Sequence, residues 1–281
     1  MPLQLGLALA VLLSALLHAL WNSFLKVGQD RLASIAVIVI TGGVLSAPIA
    51  ALVQLPTAIS LAFVAASVAA HVVYYFFLIN AYRFGDLSHV YPLARGLAPP
   101  TVAIGAALVA GEWLSVRELV GVALVFCGIA SLVFSAEGGN DRRSLWFAVA
   151  TGGMIALYTI IDGLGARNSP QAVSYIVWMN MMEMVAVLVA VRLRRGGAIW
   201  SALAADLPRG ALAGAMAALG YGIVVYAMSR GAMAHVSALR ETSVVIAALI
   251  GTMVLGEPGA RARVAAAAIV AAGVIVMNWP G

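Results

Sequence analysis

Long apolar runs follow one another along the whole chain, and they restrict the possible folds more than any other feature of the sequence. A helix needs about 20 apolar residues to cross the hydrocarbon core of a bilayer. Only 10% of the residues are charged, whereas soluble domains usually carry about 25%. Too few polar side chains remain to build a water-facing surface. The sequence therefore predicts an all-α membrane protein.

Division of the chain at charges, prolines and glycine clusters gives ten candidate transmembrane spans. They cover residues 3–25, 31–53, 59–82, 87–110, 115–135, 144–165, 171–192, 209–229, 233–255 and 261–279. The first run is too long for a cleaved signal sequence, so it is expected to remain as a helix. The chain has one cysteine, Cys127, which excludes a disulfide and a cysteine-based metal site. No metal and no other cofactor is predicted.

An internal repeat divides the chain into two halves of five spans, residues 1–138 and 139–281. The matches at an offset of 146 residues are Gly85, His89, Val90 and Leu93 with Gly231, His235, Val236 and Leu239. The matches at an offset of 145 residues are Arg95, Gly111, Glu112 and Gly128 with Arg240, Gly256, Glu257 and Gly273. Because five is odd, the second half must enter the membrane from the opposite side. The prediction is an inverted repeat with a substrate site near the midplane.

Basic residues predict the orientation. Eleven of the 16 Lys and Arg residues fall in the loops after spans 1, 3, 5, 7 and 9, and three fall on the other side. The positive-inside rule then places both termini outside the cytoplasm, with the protein in the inner membrane. The basic residues are spread singly between apolar runs, so their expected partner is the lipid bilayer and not nucleic acid. A monomer or a weak homodimer is expected.

Several motifs together resemble those of the drug/metabolite transporter superfamily, and more narrowly its EamA-type permeases, which include YddG-like amino-acid exporters. The motifs are His18-Ala19-Leu20-Trp21-Asn22, Tyr91-Pro92-Leu93-Ala94-Arg95-Gly96, Pro99-Pro100, Gly111-Glu112 and Gly256-Glu257. The resemblance covers nearly the whole chain. It implies a single-chain secondary transporter of small metabolites with a central cavity lined by spans 1, 3, 4, 6, 8 and 9. Many ten-span members are thought to keep their termini in the cytoplasm, opposite to the orientation that the charges predict.

Arg95 is the first candidate for substrate binding, because about nine helical residues after Asp86 bring it about 13 Å into the membrane. A guanidinium at that depth should face the bundle interior or water. Tyr91 lies one turn earlier on the same face. Arg95 either binds a carboxylate, phosphate or phosphonate, or is held by broken-helix carbonyls or by an ion pair with Glu183 or Glu241.

Three carboxylates are candidates for proton coupling. Glu241 follows Arg240, a second candidate for substrate binding, in span nine, and adjacent helical residues point about 100° apart, so each needs its own partner. Glu183 lies in span seven, which is expected at the periphery. Asp162 lies near the end of span six, where it is either a coupling group or a solvated helix cap.

Polar and aromatic stripes on several spans suggest a cavity wall. His18, Trp21 and Asn22 share one face of span one, and Tyr158 begins a similar arrangement in span six. The alternative for span one is interhelical hydrogen bonding with an interfacial tryptophan.

A second aromatic stripe lies on span three, where His71 and Tyr75 are one turn apart, and span eight carries Tyr221 at the position equivalent to Tyr75. Aromatic faces with hydroxyl tips suit a small zwitterion or an aromatic side chain. Pro92, Pro99 and Pro100 predict a broken helix beside Arg95.

These features predict a secondary transporter, and specifically an exporter that moves zwitterionic or anionic metabolites by alternating access. Amino acids are the first expectation, because a carboxylate suits Arg95 and an ammonium suits Glu241 or tyrosine hydroxyls. A phosphonate or other organophosphate transporter and a multidrug cation exporter are the alternatives. A channel or scramblase is the alternative of another class. An enzyme is not predicted, because no catalytic motif occurs in the sequence.

Overall fold

The computed structural model describes residues 4–27, 30–84, 87–135, 141–246 and 260–278. Every element of regular structure in these ranges is helical, as the sequence predicts. The helices are α1 (Leu5–Val27), α2 (Arg31–Ala50), α3 (Ala58–Phe84), α4 (Leu87–Gly96), α5 (Ala98–Ala110), α6 (Val116–Ser135), α7 (Arg142–Arg167), α8 (Ala172–Arg195), α9 (Ile199–Arg230), α10 (Met233–Arg240) and α11 (Ala260–Asn278). A single 3-10 turn, Gly196–Ala198, joins α8 to α9, and residues 242–246 are helical after α10.

Local sequence explains several helix ends. Asp30 caps α2 by accepting a hydrogen bond of 3.1 Å from the backbone N–H of Ala33, and Asp141 caps α7 in the same way through Arg143 N–H at 2.9 Å. Helix α5 ends at Gly111, whose φ of 68° lies in the left-handed region that glycine adopts without strain.

The fourth and ninth predicted spans are interrupted helices. Helix α4 ends at Gly96 and α5 begins at Ala98, directly before Pro99 and Pro100, which lack the N–H groups that would continue the helix. Pro92 instead lies inside α4 without ending it. In the ninth span α10 ends at Arg240, and Glu241 forms a turn before residues 242–246. The break beside Arg95 is thus confirmed, at the proline pair.

The predicted connection 193–208 is wrong. Helix α8 continues to Arg195, and α9 begins at Ile199, ten residues before the predicted start of the eighth span. Ile199 and Leu203 are four residues apart, so they lie on one face, and both are buried in an apolar cluster that α2 contributes to. Pro208 is accommodated inside α9.

Many large apolar side chains lie on the outside of the molecule, and its inside carries charges. Large side chains such as Leu52, Leu108 and Leu193 are exposed, whereas Arg95 and Glu241 are buried. Six segments of the described chain are long and apolar enough to cross a membrane by length and composition. This arrangement is compatible with a protein embedded in a membrane.

Helix pairing brings distant parts of the chain together. Helix α1 packs against α9, α3 against α7, α2 against α8 and α9, and α6 against α11. The α6–α11 contact is very close, because a Cβ atom built on Gly273 would lie 2.7 Å from the carbonyl oxygen of Gly121. A Cβ atom on Gly128 would lie 3.0 Å from the carbonyl oxygen of Ala266. Gly121 and Gly128 are seven residues apart in the fifth predicted span, a spacing from which the sequence predicts close helix packing, and these distances confirm that prediction.

Candidate functional site

Two interrupted helices each present an arginine to the interior. Arg95 lies in the last turn of α4, and Arg240 lies in the last turn of α10. Both side chains are buried, with 3% and 6% of the residue exposed. Unpaired carbonyl groups give a helix C-terminus partial negative charge, which stabilises a nearby guanidinium. The helix breaks therefore help to hold both cations away from water.

Arg95 forms a two-point ion pair with Glu241. Its Nη2 lies 2.7 Å from Oε1 of the carboxylate, and its Nε donates to Oε2 at 3.1 Å. Such fork geometry is the strongest arrangement that arginine makes with a carboxylate. Of the two ion-pair partners that the sequence leaves open, the structure selects Glu241 and not Glu183.

Arg240 is held differently. Its Cζ lies over the ring of Tyr221, 5.1 Å from the centroid, in a cation–π contact. It also interacts with the side chain of Tyr158. In the part of the chain that the structure describes, no carboxylate lies within ion-pair distance of Arg240.

Aromatic rings from α3, α7 and α9 pack together beside Arg240. The ring of His71 is stacked on Tyr158 with centroids 4.1 Å apart, and Tyr221 lies edge-on to both, at 5.8 and 5.9 Å. Tyr75 lies 6.5 Å from His71, and Tyr74 lies 5.1 Å from Tyr75 and 5.5 Å from Tyr158. The structure thus brings the predicted residues His71, Tyr75, Tyr158 and Tyr221 into one cluster.

Asp162 is fully buried next to this cluster, with 0% of the residue exposed. Its Oδ1 accepts a hydrogen bond of 2.7 Å from the Tyr175 hydroxyl, and its Oδ2 accepts one from the Tyr221 hydroxyl. The interpretation of Asp162 as a solvated helix cap is therefore wrong. The reason is that α8 and α9 cover this side of α7, which spacing along α7 alone does not reveal.

Glu183 is also buried, although its span was expected at the periphery. It accepts a hydrogen bond of 2.8 Å from the Tyr75 hydroxyl, which joins α8 to α3. Its role in proton coupling, like those of Glu241 and Asp162, stays a prediction.

The predicted stripe on α1 is half-buried and bonded within its own helix. Trp21 Nε1 donates to His18 Nδ1 at 3.2 Å, and the Asn22 amide donates to the His18 carbonyl oxygen at 2.8 Å. His18 also lies close enough to Arg95 and Arg240 to interact electrostatically with both guanidinium groups. The hydrogen bonds of this stripe that the structure describes are therefore local and not interhelical. The side chains of Tyr91 and His89, and the pair Gly256-Glu257, lie outside the described residues.

Two sets of contacts were not predicted, one in the interior and one at the end of α7. Tyr175 on α8 was missed as a partner of Asp162, because its span was expected at the periphery. A cluster at the end of α7 was also missed: Arg167 forms an ion pair with Glu112 and donates to the carbonyl oxygens of Met228 at 2.9 Å and Gly231 at 2.7 Å. The repeated Gly-Glu pair was the sequence signal for this cluster.

One large cavity lies away from the charged cluster. Its volume is about 1170 Å³, and it opens between α1, α2, α8 and α9. Its lining is mostly apolar, with Ser46, Asn180 and Arg230 among its few polar residues. None of the predicted site residues lines this cavity. Among the described residues, no group of three or more His, Cys, Asp or Glu side chains could hold a metal ion.

No protein-family model and no curated protein matches the sequence. Solved structures do match: one crystal structure of a protein superimposes with a TM-score of 0.74 over 98% of this chain and 98% of its own. The two sequences are 19% identical. At this level of identity the likeness shows a shared fold and nothing about activity.

Proposed function

We propose that the protein is a secondary transporter, an exporter that moves small zwitterionic or anionic metabolites, with amino acids first among them, across the inner membrane by alternating access. The observation that carries the proposal is the set of charges buried where the interrupted helices end. Arg95, Arg240 and Glu241 lie together inside a bundle whose exterior is apolar. Charges at such a depth are costly, and where they occur they usually serve ions or substrates.

The sum of these three charges favours an anionic group in the substrate. Arg95 and Glu241 neutralise each other, so Arg240 remains as an additional positive charge with no carboxylate at ion-pair distance in the described chain. A lipophilic cation would be repelled by this group. The multidrug-cation alternative is therefore less favoured than a carboxylate or phosphonate substrate, and the neighbouring tyrosines suit a ligand that also has a hydrogen-bonding or cationic end.

Ten spans in two inverted repeats are part of the proposal, and helix pairing supports them. Exchange of the two halves would convert the contact between spans one and eight into a contact between spans six and three. Both contacts occur, as α1 against α9 and as α3 against α7. The same exchange converts the α2–α8 and the α6–α11 contacts into themselves, and interrupted helices occur in the matching spans four and nine. Interrupted helices at matching places of two halves are typical of transporter binding sites.

The experiment is uptake by purified protein in liposomes. The panel contains labelled amino acids, a phosphonate and a quaternary ammonium drug, each measured with and without a pH gradient. We expect saturable amino-acid flux that falls at least tenfold in Arg240→Gln, and a response to the gradient if a buried carboxylate couples protons. Drug flux that is indifferent to both Arg95→Ala and Arg240→Gln would overturn the anion site. Flux without saturation or competition would favour the channel alternative.

A further inference from the structure

Two buried side chains of opposite charge contact the same tyrosine. The Arg240 guanidinium lies over the ring of Tyr221, and the Tyr221 hydroxyl donates to Asp162. The three residues come from three helices, α10, α9 and α7. Tyr221 therefore separates a cation from an anion in the interior of the bundle.

Neither of these charges is neutralised by a direct partner. Among the described residues, no Lys, Arg or His nitrogen lies within ion-pair distance of the Asp162 carboxylate. Its two partners are the hydroxyls of Tyr175 and Tyr221, which satisfy one acceptor position on each oxygen and bring no positive charge. Arg95 and Glu241 differ, because each of them carries the other's counter-charge. Buried charges are normally paired, so Asp162 and Arg240 are each expected to bind a charge that comes from outside the protein.

The separation of the two charges matches the length of a bound amino acid. Arg240 Cζ lies 5.1 Å from the Tyr221 centroid, and half the ring with its hydroxyl and one hydrogen bond adds about 5 Å at most. Because Arg240 lies over the face of the ring and Asp162 lies beyond its edge, these two distances meet at nearly a right angle, and the two charges are roughly 7 Å apart. The carboxylate oxygen and ammonium nitrogen of a 2-amino acid are about 3 Å apart, and one hydrogen bond of about 2.8 Å at each end gives a span of roughly 6 Å when the hydrogen bonds are inclined and roughly 9 Å when they are collinear.

We propose that Arg240 and Asp162 form a two-ended site for a zwitterion, in which Arg240 binds the carboxylate and Asp162 binds the ammonium group alongside Tyr221. The proposal rests on the transport function proposed above and deepens it, because it assigns the ammonium end to a residue that sequence reasoning took for a proton carrier or a cap. Tyr175 acts as a positioning residue that holds the Asp162 carboxylate in place.

The assignment predicts a pattern of ligand binding that general damage to the protein cannot produce. The probes are L-phenylalanine, its des-amino analogue 3-phenylpropanoate and its decarboxylated analogue 2-phenylethylamine, chosen because the neighbouring rings can contact a phenyl group. Dissociation constants are measured by isothermal titration calorimetry on purified, detergent-solubilised protein. The wild-type protein should bind the amino acid more tightly than either analogue, since only the amino acid has both charged ends.

Two substitutions remove one end each. Asp162→Asn keeps the shape of the side chain and should weaken phenylalanine binding by about tenfold to a hundredfold, while 3-phenylpropanoate changes by less than about twofold. Arg240→Gln should weaken phenylalanine binding by a similar factor and leave 2-phenylethylamine within about twofold. Asp206→Asn is the matched control, because it removes the same charge near the start of α9 and should change none of the three constants. Size-exclusion profiles establish that each variant is folded, and the Arg240 arm remains decisive if Asp162→Asn fails to fold.

The outcomes separate this inference from the transport proposal. If the wild-type protein prefers phenylalanine but Asp162→Asn weakens all three ligands equally, or none of them, the two-ended site is overturned while transport stands. If Asp162→Asn removes only the response of flux to a pH gradient and leaves the binding pattern intact, Asp162 carries a proton, and the ammonium assignment is also overturned. A wild-type protein that binds none of the probes and moves no member of the flux panel contradicts the transport function itself.

Discussion

Two arginine–glutamate pairs join the first half of the chain to the second, and they differ in burial. Arg95 and Glu241 lie in the interior with side chains 4% and 1% exposed, whereas Arg167 and Glu112, at the end of α7, are 27% and 15% exposed. Solvent does not reach the inner pair, so water cannot replace a lost partner there. The outer pair is reached by water and shares its contacts with the backbone, because Glu112 also accepts a hydrogen bond of 2.8 Å from Met233 N–H.

Burial determines which pair can change partners at low cost. Removal of one member of a buried pair leaves an unpaired charge, so the inner pair is stable only while both members are present or while another charge replaces one. A partly exposed pair loses much less, because water solvates the remaining group. The inner pair is therefore the costlier of the two to separate, and the outer pair is the one that can separate at low cost.

The largest expected effect is at the inner pair. Glu241→Gln leaves the Arg95 guanidinium buried without a counter-charge and should lower the free energy of unfolding by about 3 to 5 kcal/mol. The double variant Arg95→Met/Glu241→Leu should recover most of that loss, because two apolar side chains need no partner. The measurement is thermal unfolding in detergent. A double variant that is less stable than Glu241→Gln would contradict the pairing.

A buried carboxylate with a neutral partner provides an intermediate case. Tyr75→Phe removes the hydroxyl that donates to Glu183 and keeps the ring. We expect a loss of about 1 to 3 kcal/mol, the cost of leaving a buried acceptor without its hydrogen bond. The same unfolding assay tests this, with Tyr226→Phe, on the exposed part of α9, as the matched control. Equal effects of the two substitutions would show that the Glu183 contact carries no stability.

The outer pair should have a smaller effect. Glu112→Gln keeps a side-chain oxygen for Met233 N–H but removes the ion pair with Arg167. We expect a loss of about 0.5 to 1 kcal/mol that shrinks as salt is added, because a partly exposed ion pair is screened. A double-mutant cycle with Arg167→Gln isolates the interaction. A loss as large as that of Glu241→Gln would remove the contrast between the two pairs.

The smallest effect is expected outside the predicted spans. The Arg195 guanidinium holds the pKa of Asp30 below its ordinary value, chiefly through the hydrogen bond between them. A carboxylate whose pKa is depressed in the folded state stabilises it above the unfolded pKa of about 3.9 and loses that effect as the pH falls. Both side chains are more than one third exposed, so Asp30→Asn should lower the apparent Tm at pH 7 by less than about 2 °C. The difference should disappear as the pH falls through the depressed pKa, and a difference that grows towards acid pH would contradict the assignment.

Sequence reasoning succeeded where the cause lies within one helix. Pro99 and Pro100 predicted the break beside Arg95, and Gly121 and Gly128 predicted close helix packing, because missing N–H groups and missing side chains act locally. It failed where the answer depends on how neighbouring helices are rotated. Spacing along α7 could not reveal that Tyr175 and Tyr221 cover Asp162.

Partner choice was the second limit. Glu183 and Glu241 carry the same carboxylate group, so their chemistry does not show which of them pairs with Arg95. Only the packing of α10 against the helices around Arg95 distinguishes them. Boundaries also failed at 193–208, because a predominantly apolar segment with a single proline can join a preceding 3-10 turn and continue as helix.

A counterflow assay tests whether the protein transports a zwitterion by alternating access. Liposomes containing the purified protein are loaded with unlabelled L-phenylalanine and diluted into a trace of the labelled amino acid. We expect a transient accumulation of label inside, above its outside concentration, that is abolished in Arg240→Gln and retained in Asp206→Asn. Label that only equilibrates, with no overshoot in the wild-type protein, would contradict it.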